Sequence, residues 1–172
     1  GVDTLVSALI GVREKLCDWR VRLVGDGELK PLLVARLKAA GMAVELPGWV
    51  SPADMPREFA EAMIVCVPSQ RAATGDAEGL PTVCIEAMLS GCAIAATRHA
   101  GIPECVRDGV TGRLVAEGDH AALGERLVRM TGDVQATLAM GTAGRELALR
   151  DFNLERQSAR LQDLLLGVAK RS

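Results

Sequence analysis

The sequence predicts an α/β domain in which a parallel sheet is wrapped by helices on both faces. Strand-like runs alternate with helical stretches along the chain, the pattern of a parallel sheet whose crossovers are helices. Met63 to Val67 is continuously apolar, as a strand covered on both faces must be. The strand-like runs end in loops rich in Gly, Pro and Ser, and such loops at strand C-terminal ends are where open α/β sheets bind ligands. With 172 residues, 49% of them hydrophobic, the chain can bury one sizeable core. Aromatics are only 2%, so Leu, Val, Ala, Ile and Met must fill it.

Each element follows from local pattern. A first helix begins almost at the first residue, with Leu5, Leu9, Val12 and Leu16 on one apolar face and Asp3 near its start. Trp19 to Val24 reads as a strand, and Gly25-Asp26-Gly27 turns it into a helix from Glu28 to about Ala40. Gly25-x-Gly27 begins a dinucleotide fingerprint, but Lys30 stands where the third glycine belongs, so a plain strand-to-helix turn is favoured. Val44 to Leu46 is a short strand leading into Pro47-Gly48-Trp49-Val50, read as a Pro-Gly turn with Trp49 packed on the core. Ser51 and Asp54 form a capping box for a helix through Met63. Pro68-Ser69 ends the central strand, and Gln70 to Ala77 is a polar loop carrying Arg71, Thr74, Gly75 and Asp76. Ala93 to Thr97 is the next strand, followed by Arg98-His99-Ala100-Gly101, with His99 a candidate sugar contact, although a lone loop histidine is more often a surface residue. A helical turn from Ile102 to Val106 and a last strand, Arg113 to Val115, precede helices at 121–130, 134–149 and 154–168. Leu161, Leu164 and Leu165 give the last helix an apolar stripe, expected to be core.

The chain is organised around the stretch from Gly75 to Gly91. Glu78 and Glu86 stand on either side of Gly79-Leu80-Pro81, and Thr82 to Leu89 reads as a nearly all-apolar helix with Glu86 its only charge. Such a helix is expected to be buried and to bury Glu86 with it, where the carboxylate would need donors such as ligand hydroxyls. Pro81 suits a helix start, leaving the amides of Thr82 and Val83 free at the positive end of the helix dipole. Gly79 lets a ligand approach the backbone closely. Phosphate at the helix mouth and a hydroxyl-bearing ring beside Glu86 describe a nucleotide diphosphate, with Glu78 facing whatever the far phosphate carries.

Several blocks in order now carry a resemblance: Val67-Pro68-Ser69, the Glu78/Glu86 pair, Gly101-Ile102-Pro103-Glu104, and Asp108-Gly109-Val110-Thr111-Gly112-Arg113-Leu114-Val115. Together they closely resemble the C-terminal, donor-binding half of the family four retaining, nucleotide-sugar-dependent glycosyltransferases. The Gly75-to-Pro81 variant looks most like members that build bacterial exopolysaccharides. The resemblance implies a Rossmann-like domain, one half of a two-domain GT-B fold, spanning residues 1–172. It implies a hexose transferred from a nucleotide diphosphate sugar to a sugar or lipid-linked acceptor, with retention and without a metal or other cofactor. Glu78 would contact the transferred sugar, Glu86 would accept hydrogen bonds from the ribose diol, and the amides of Gly79, Leu80, Thr82 and Val83 would hold the diphosphate. It also places the loop Pro47-Gly48-Trp49-Val50 beside the base. Gly1-Val2 resembles the pair that follows a phosphate-clamping Lys in the family, so that Lys, its companion Arg, the first strand and the N-terminal acceptor domain are expected to lie outside the chain. The chain alone is then expected to be inactive.

Other classes remain. Two carboxylates invite a glycosidase reading, which a helix-borne Glu at a phosphate-like helix mouth fits poorly. A nucleotide-sugar epimerase half and a non-catalytic nucleotide- or partner-binding module stand as alternatives. A net charge of −2 without a concentrated basic patch argues against a nucleic-acid surface. No apolar run reaches the roughly 18 residues of a membrane span, so a cytoplasmic location is expected, with the intact enzyme at most peripheral to the inner membrane. Five cysteines, Cys17, Cys66, Cys84, Cys92 and Cys105, without C-x-x-C spacing are expected to be free thiols, those in apolar segments packed as small hydrophobes.

Overall fold

The computed structural model describes residues 1–72, 74, 75 and 77–169. Asp76, singled out in the loop before the organising helix, lies outside the described residues. The elements are α1 (Val2–Gly11), β1 (Arg22–Val24), α2 (Lys30–Ala39), β2 (Glu45–Gly48), α3 (Met55–Ala60), β3 (Ile64–Val67) and α4 (Thr82–Leu89). β4 (Ala93–Thr97), α5 (Ile102–Cys105), β5 (Gly112–Val115), α6 (His120–Gly132), α7 (Val134–Asp151) and α8 (Leu154–Ala169) complete the chain, with a short 3₁₀ turn at Arg13–Lys15. All strand pairings are parallel, as the alternation of elements requires.

β4 shows why both faces are covered. It is buried from end to end between β3 and β5, and its side chains alternate between two packed layers. Ile94 and Ala96 meet Cys84, Ala87 and Met88 of α4 and Leu147 of α7. Ala93 and Ala95 meet Leu5 and Leu9 of α1 and Leu123 and Leu127 of α6. The small alanines let helix and sheet approach closely. The same closeness appears where α7 crosses the turn after α4: a Cβ on Gly141 would lie 2.0 Å from the Gly91 carbonyl oxygen.

Several boundaries depart from expectation for identifiable reasons. β2 includes Pro47 and Gly48, because an edge strand tolerates a missing N–H; Gly48, at φ +81°, accepts the Gly25 N–H at 2.7 Å. α3 stops at Ala60, where the Ala62 N–H turns back to the Phe59 carbonyl and the chain enters β3. α6 and α7 start on Asp119 and Asp133, whose carboxylates accept the N–H groups of Ala122 and Ala136 at 2.9 and 3.0 Å. The α8 stripe is not core. Leu161, Leu164 and Leu165 are each about 60% exposed, because α8 runs beyond the two packed layers.

The sheet falls into two parts, β1–β2 and β3–β4–β5. Between the facing edges of β1 and β3 lies a groove of about 840 Å³, lined by Val21 and Leu23 on one side, Ile64 and Val65 on the other and Leu5 and Leu9 below. β3 packs into both layers, Val65 and Val67 with α4 on one face and Ile64 and Cys66 with α1 and α6 on the other, as its apolar run suggested, but the groove along its edge leaves Ile64 to Cys66 only half-buried. Gly1 sits at the C-terminal end of β3, so close that a Cβ there would lie 1.7 Å from the Pro68 carbonyl oxygen. An ion-pair cluster ties β1 to α3: Arg22 meets Glu58 through two hydrogen bonds of 2.8 and 2.9 Å and Glu45 at 2.6 Å.

Candidate donor-binding site

α4 starts at Thr82, and Leu80 and Pro81 separate it from the exposed segment Ala77–Gly79. Pro81 is its N-cap, in extended conformation, and its carbonyl accepts the Cys84 N–H at 3.1 Å. The N–H groups of Thr82 and Val83 have no partner among the described residues and point out of the first turn, as at any helix start. They and the dipole's positive end form a place where negative charge is stabilised.

Glu86 stands differently from expectation. Cys84, Ala87 and Met88 face the core, so Thr82, Glu86, Leu89 and Ser90 are exposed on the outer face. Glu86 is therefore not buried; its one charge lies on the side of the helix that the sheet does not cover. There it lines a pocket of about 420 Å³ with Trp49, Val50, Met55, Phe59 and Leu89. Trp49 is 70% exposed, which removes the core-packing reading and places an open indole face in the same pocket as a carboxylate. Glu78 is also exposed, on the segment before α4, and does not line this pocket. Gly79 is held by its carbonyl, which accepts the Gly101 N–H at 2.8 Å, leaving its own N–H and that of Leu80 without a partner among the described residues.

His99 is not a surface residue. It is 2% exposed, and its Nδ1 lies 2.7 Å from Glu117 Oε1. The other Glu117 oxygen accepts the Arg71 N–H at 2.9 Å. These two contacts, the Arg71 amide first and His99 second, hold the Glu117 carboxyl below its ordinary range. Glu117 escaped sequence analysis. An acidic residue just past the last strand, at the ligand-binding end of the sheet, was the available signal.

The cysteines are free, with Cys84, Cys92 and Cys105 buried, Cys66 half-buried and Cys17 exposed. Burial pushes the Cys66 thiol up to about 12 and Cys92 to about 11. A hydrogen bond with Cys105 and burial hold Cys84 protonated, with the negative charge of Glu78 acting in the same sense. Such thiols are inert as nucleophiles. No cluster of His, Cys, Asp and Glu among the described residues has the makings of a metal site.

The profile of the family described as glycosyl transferases group 1 matches residues 1–133. The chain belongs to that family. Over 170 residues it is 32% identical to the GDP-mannose-dependent alpha-(1-6)-phosphatidylinositol monomannoside mannosyltransferase of Mycolicibacterium smegmatis, covering 97% of this chain and 44% of that protein. It is 31% identical over 171 residues to the amylovoran biosynthesis glycosyltransferase AmsK of Erwinia amylovora, covering 98% of this chain and 42% of the relative. The chain thus spans less than half the length of these relatives. Its fold matches that of Anabaena HepE, solved in complex with UDP, with a TM-score of 0.83 and 24% identity over 97% of this chain and 45% of HepE. It also matches the C-terminal domain of the glycosyl transferase group 1 family protein LpcC of Francisella tularensis, with a TM-score of 0.79 and 23% identity over 90% of this chain and 80% of that domain. The parallel sheet with helices on both faces is the architecture of the GT-B glycosyltransferases. No helix among the described residues is long and apolar enough to cross a membrane.

Proposed function

We propose that the chain is the C-terminal, donor-binding half of a glycosyltransferase that transfers a hexose from a nucleotide diphosphate sugar, with retention, to a sugar or lipid-linked acceptor. The observation that carries this reading is the grouping at α4: a free helix N-terminus, a carboxylate one turn further in, and an exposed indole sharing that carboxylate's pocket. In this reading the diphosphate lies on the amides of Gly79, Leu80, Thr82 and Val83. Those amides, with the helix dipole, stabilise the charge that develops on the leaving diphosphate. Glu86 accepts hydrogen bonds from the ribose diol while the base lies against Trp49. Glu78 meets the transferred sugar at the catalytic centre.

The relatives extend the reading. The names of two of them point to GDP-mannose and to exopolysaccharide synthesis, so GDP is the first nucleotide to test and a polysaccharide or glycolipid the product class. The acceptor-binding half lies outside this chain, which by itself binds donor without turning it over. The groove between β1 and β3 receives a further parallel strand from that larger protein, running towards Gly1 and continuing into α1.

Calorimetric titration of the chain with GDP, UDP and ADP tests the site. Saturable binding of one nucleotide, abolished in Glu86→Ala, supports the assignment and names the base. Binding that survives unchanged in Glu86→Ala sinks the ribose assignment. Failure of every nucleotide to bind, with the upstream segment restored as well, sinks the donor-binding function.

A further inference from the structure

Both ends of the segment that carries Glu78 are fastened to one short turn, Arg98–Gly101. At the far end the Gly101 N–H reaches the Gly79 carbonyl at 2.8 Å. The contact is close enough that a Cβ on Gly101 would lie 3.1 Å from that oxygen and 3.1 Å from Leu80 Cβ. At the near end the fastening is made by side chains. Glu117 uses one oxygen for the Arg71 N–H and the other for His99 Nδ1.

The residues before Arg71 are held by other means. Thr97 donates its hydroxyl to the Ser69 carbonyl, and the Gln70 amide oxygen accepts from Thr4 of α1 at 3.2 Å. Arg71 is thus where the segment leaves the core, and Glu117 grips it there. A carboxylate only accepts hydrogen bonds, so an Nδ1–H donated by His99 satisfies it. The second ring nitrogen, Nε2, is buried without a partner among the described residues. Burying a polar atom in this way is costly, which argues that the ring is kept for its contact with Glu117.

We propose that His99 and Glu117 are positioning residues: they brace the Arg71 end of the segment that carries Glu78 and so set where that carboxylate meets the transferred sugar. The second half of this statement rests on the reading of Glu78 as the sugar contact; the brace itself does not. His99 acts through Glu117 and the backbone.

Hydrogen exchange on the chain tests the brace without any ligand. His99→Ala is expected to speed exchange at the Arg71 amide, which Glu117 holds, by about tenfold, the loss of one charge-assisted hydrogen bond, while α4 and β4 keep their protection. His99→Asn, which keeps an N–H near the Nδ1 position, is expected to restore most of it. Where His99→Ala does not fold, Glu117→Ala, at a side chain 38% exposed, gives the same reading. Unchanged exchange in the folded variant overturns the brace.

Affinity supplies the second readout. His99→Ala is expected to weaken the nucleotide sugar about tenfold relative to the free nucleotide diphosphate, which depends on α4 and Glu86 instead. Faster exchange with an unchanged affinity ratio overturns the sugar-positioning step and leaves the brace standing. Absence of any nucleotide binding by the wild type, with the upstream segment restored as well, overturns the donor-binding reading, and exchange still decides the brace.

Discussion

Trp49 and Glu86, far apart in sequence, line one pocket between α3 and α4, the indole exposed at the end of β2 and the carboxylate on the outer face of its helix. Base–aromatic stacking is worth about 1–3 kcal/mol. Trp49→Ala is therefore expected to weaken nucleotide diphosphate binding by roughly one order of magnitude, with little effect on the melting temperature because the ring supports no core contact. Titration beside a thermal melt checks both. A large loss of stability with unchanged affinity would return Trp49 to a structural role.

How much of this was legible in the sequence depended on the distance over which a signal acts. β4 and α4 were read at their observed boundaries, because an apolar run closed by Gly or Ser and a Pro at a helix start are local signals. Exposure was not legible in the same way. An all-apolar helix gave no hint that Cys84, Ala87 and Met88 take the core face and leave Glu86 outside; that follows from where β4 lies. The α8 stripe announced a face that favours cover, but periodicity cannot say what supplies it. The His99–Glu117 pair joins two loops whose meeting depends on the β4–β5 register, and no composition or spacing rule reaches that far.

Ala100 is the one non-glycine with positive φ among the described residues, at +43°. An L-residue in left-handed backbone costs about 1–2 kcal/mol, partly offset against glycine by the latter's greater freedom when unfolded. Ala100→Gly is expected to stabilise the chain by up to about 1 kcal/mol, read as a rise of roughly 2–4 °C in Tm. A fall in Tm would mean that the methyl group makes a packing contact worth more than the strain.

Two helical glycines should respond oppositely to the same change. In α7, Gly141 faces backbone, and an added methyl would overlap the Gly91 carbonyl, forcing α7 off the turn after α4. Gly141→Ala is expected to cost about 3 kcal/mol or more. In α6, Gly132 has nothing within 4 Å of an added Cβ, so Gly132→Ala is expected to stabilise by about 0.5–1 kcal/mol through helix propensity. Denaturant melts of both variants test the packing of α7 directly, since equal effects would contradict it.

Ion pairs of different burial should differ in worth. The Arg22 and Glu58 side chains are 25% and 20% exposed and joined by two hydrogen bonds, whereas Arg150 and Asp151 are 57% and 40% exposed neighbours on α7. Arg22→Ala leaves Glu58 half-buried without its partner and is expected to cost about 1–3 kcal/mol. Arg150→Ala is expected to stay within about 0.5 kcal/mol. Urea midpoints at low and high salt separate the two, and equal losses would show that the Arg22 pair is no more than a surface contact.

The brace at Glu117 also predicts a pH dependence. Its folded-state pKa lies below the ordinary 4.5, because the Arg71 N–H and His99 both favour the carboxylate. A carboxyl depressed in the folded state contributes stability that is present above the ordinary pKa and lost as pH falls through the folded one. Glu117→Gln removes the titration but keeps an acceptor of similar shape. The wild type is therefore expected to exceed Glu117→Gln in Tm at pH 6–7, with the difference shrinking below about pH 4.5. Subtracting the two curves cancels the other depressed carboxylates, Asp26, Glu45 and Asp151, which titrate alike in both proteins. A difference that stays constant down to pH 3 would mean that Glu117 is held no more strongly in the folded chain than in the unfolded one, and the carboxylate would not be what fastens Arg71.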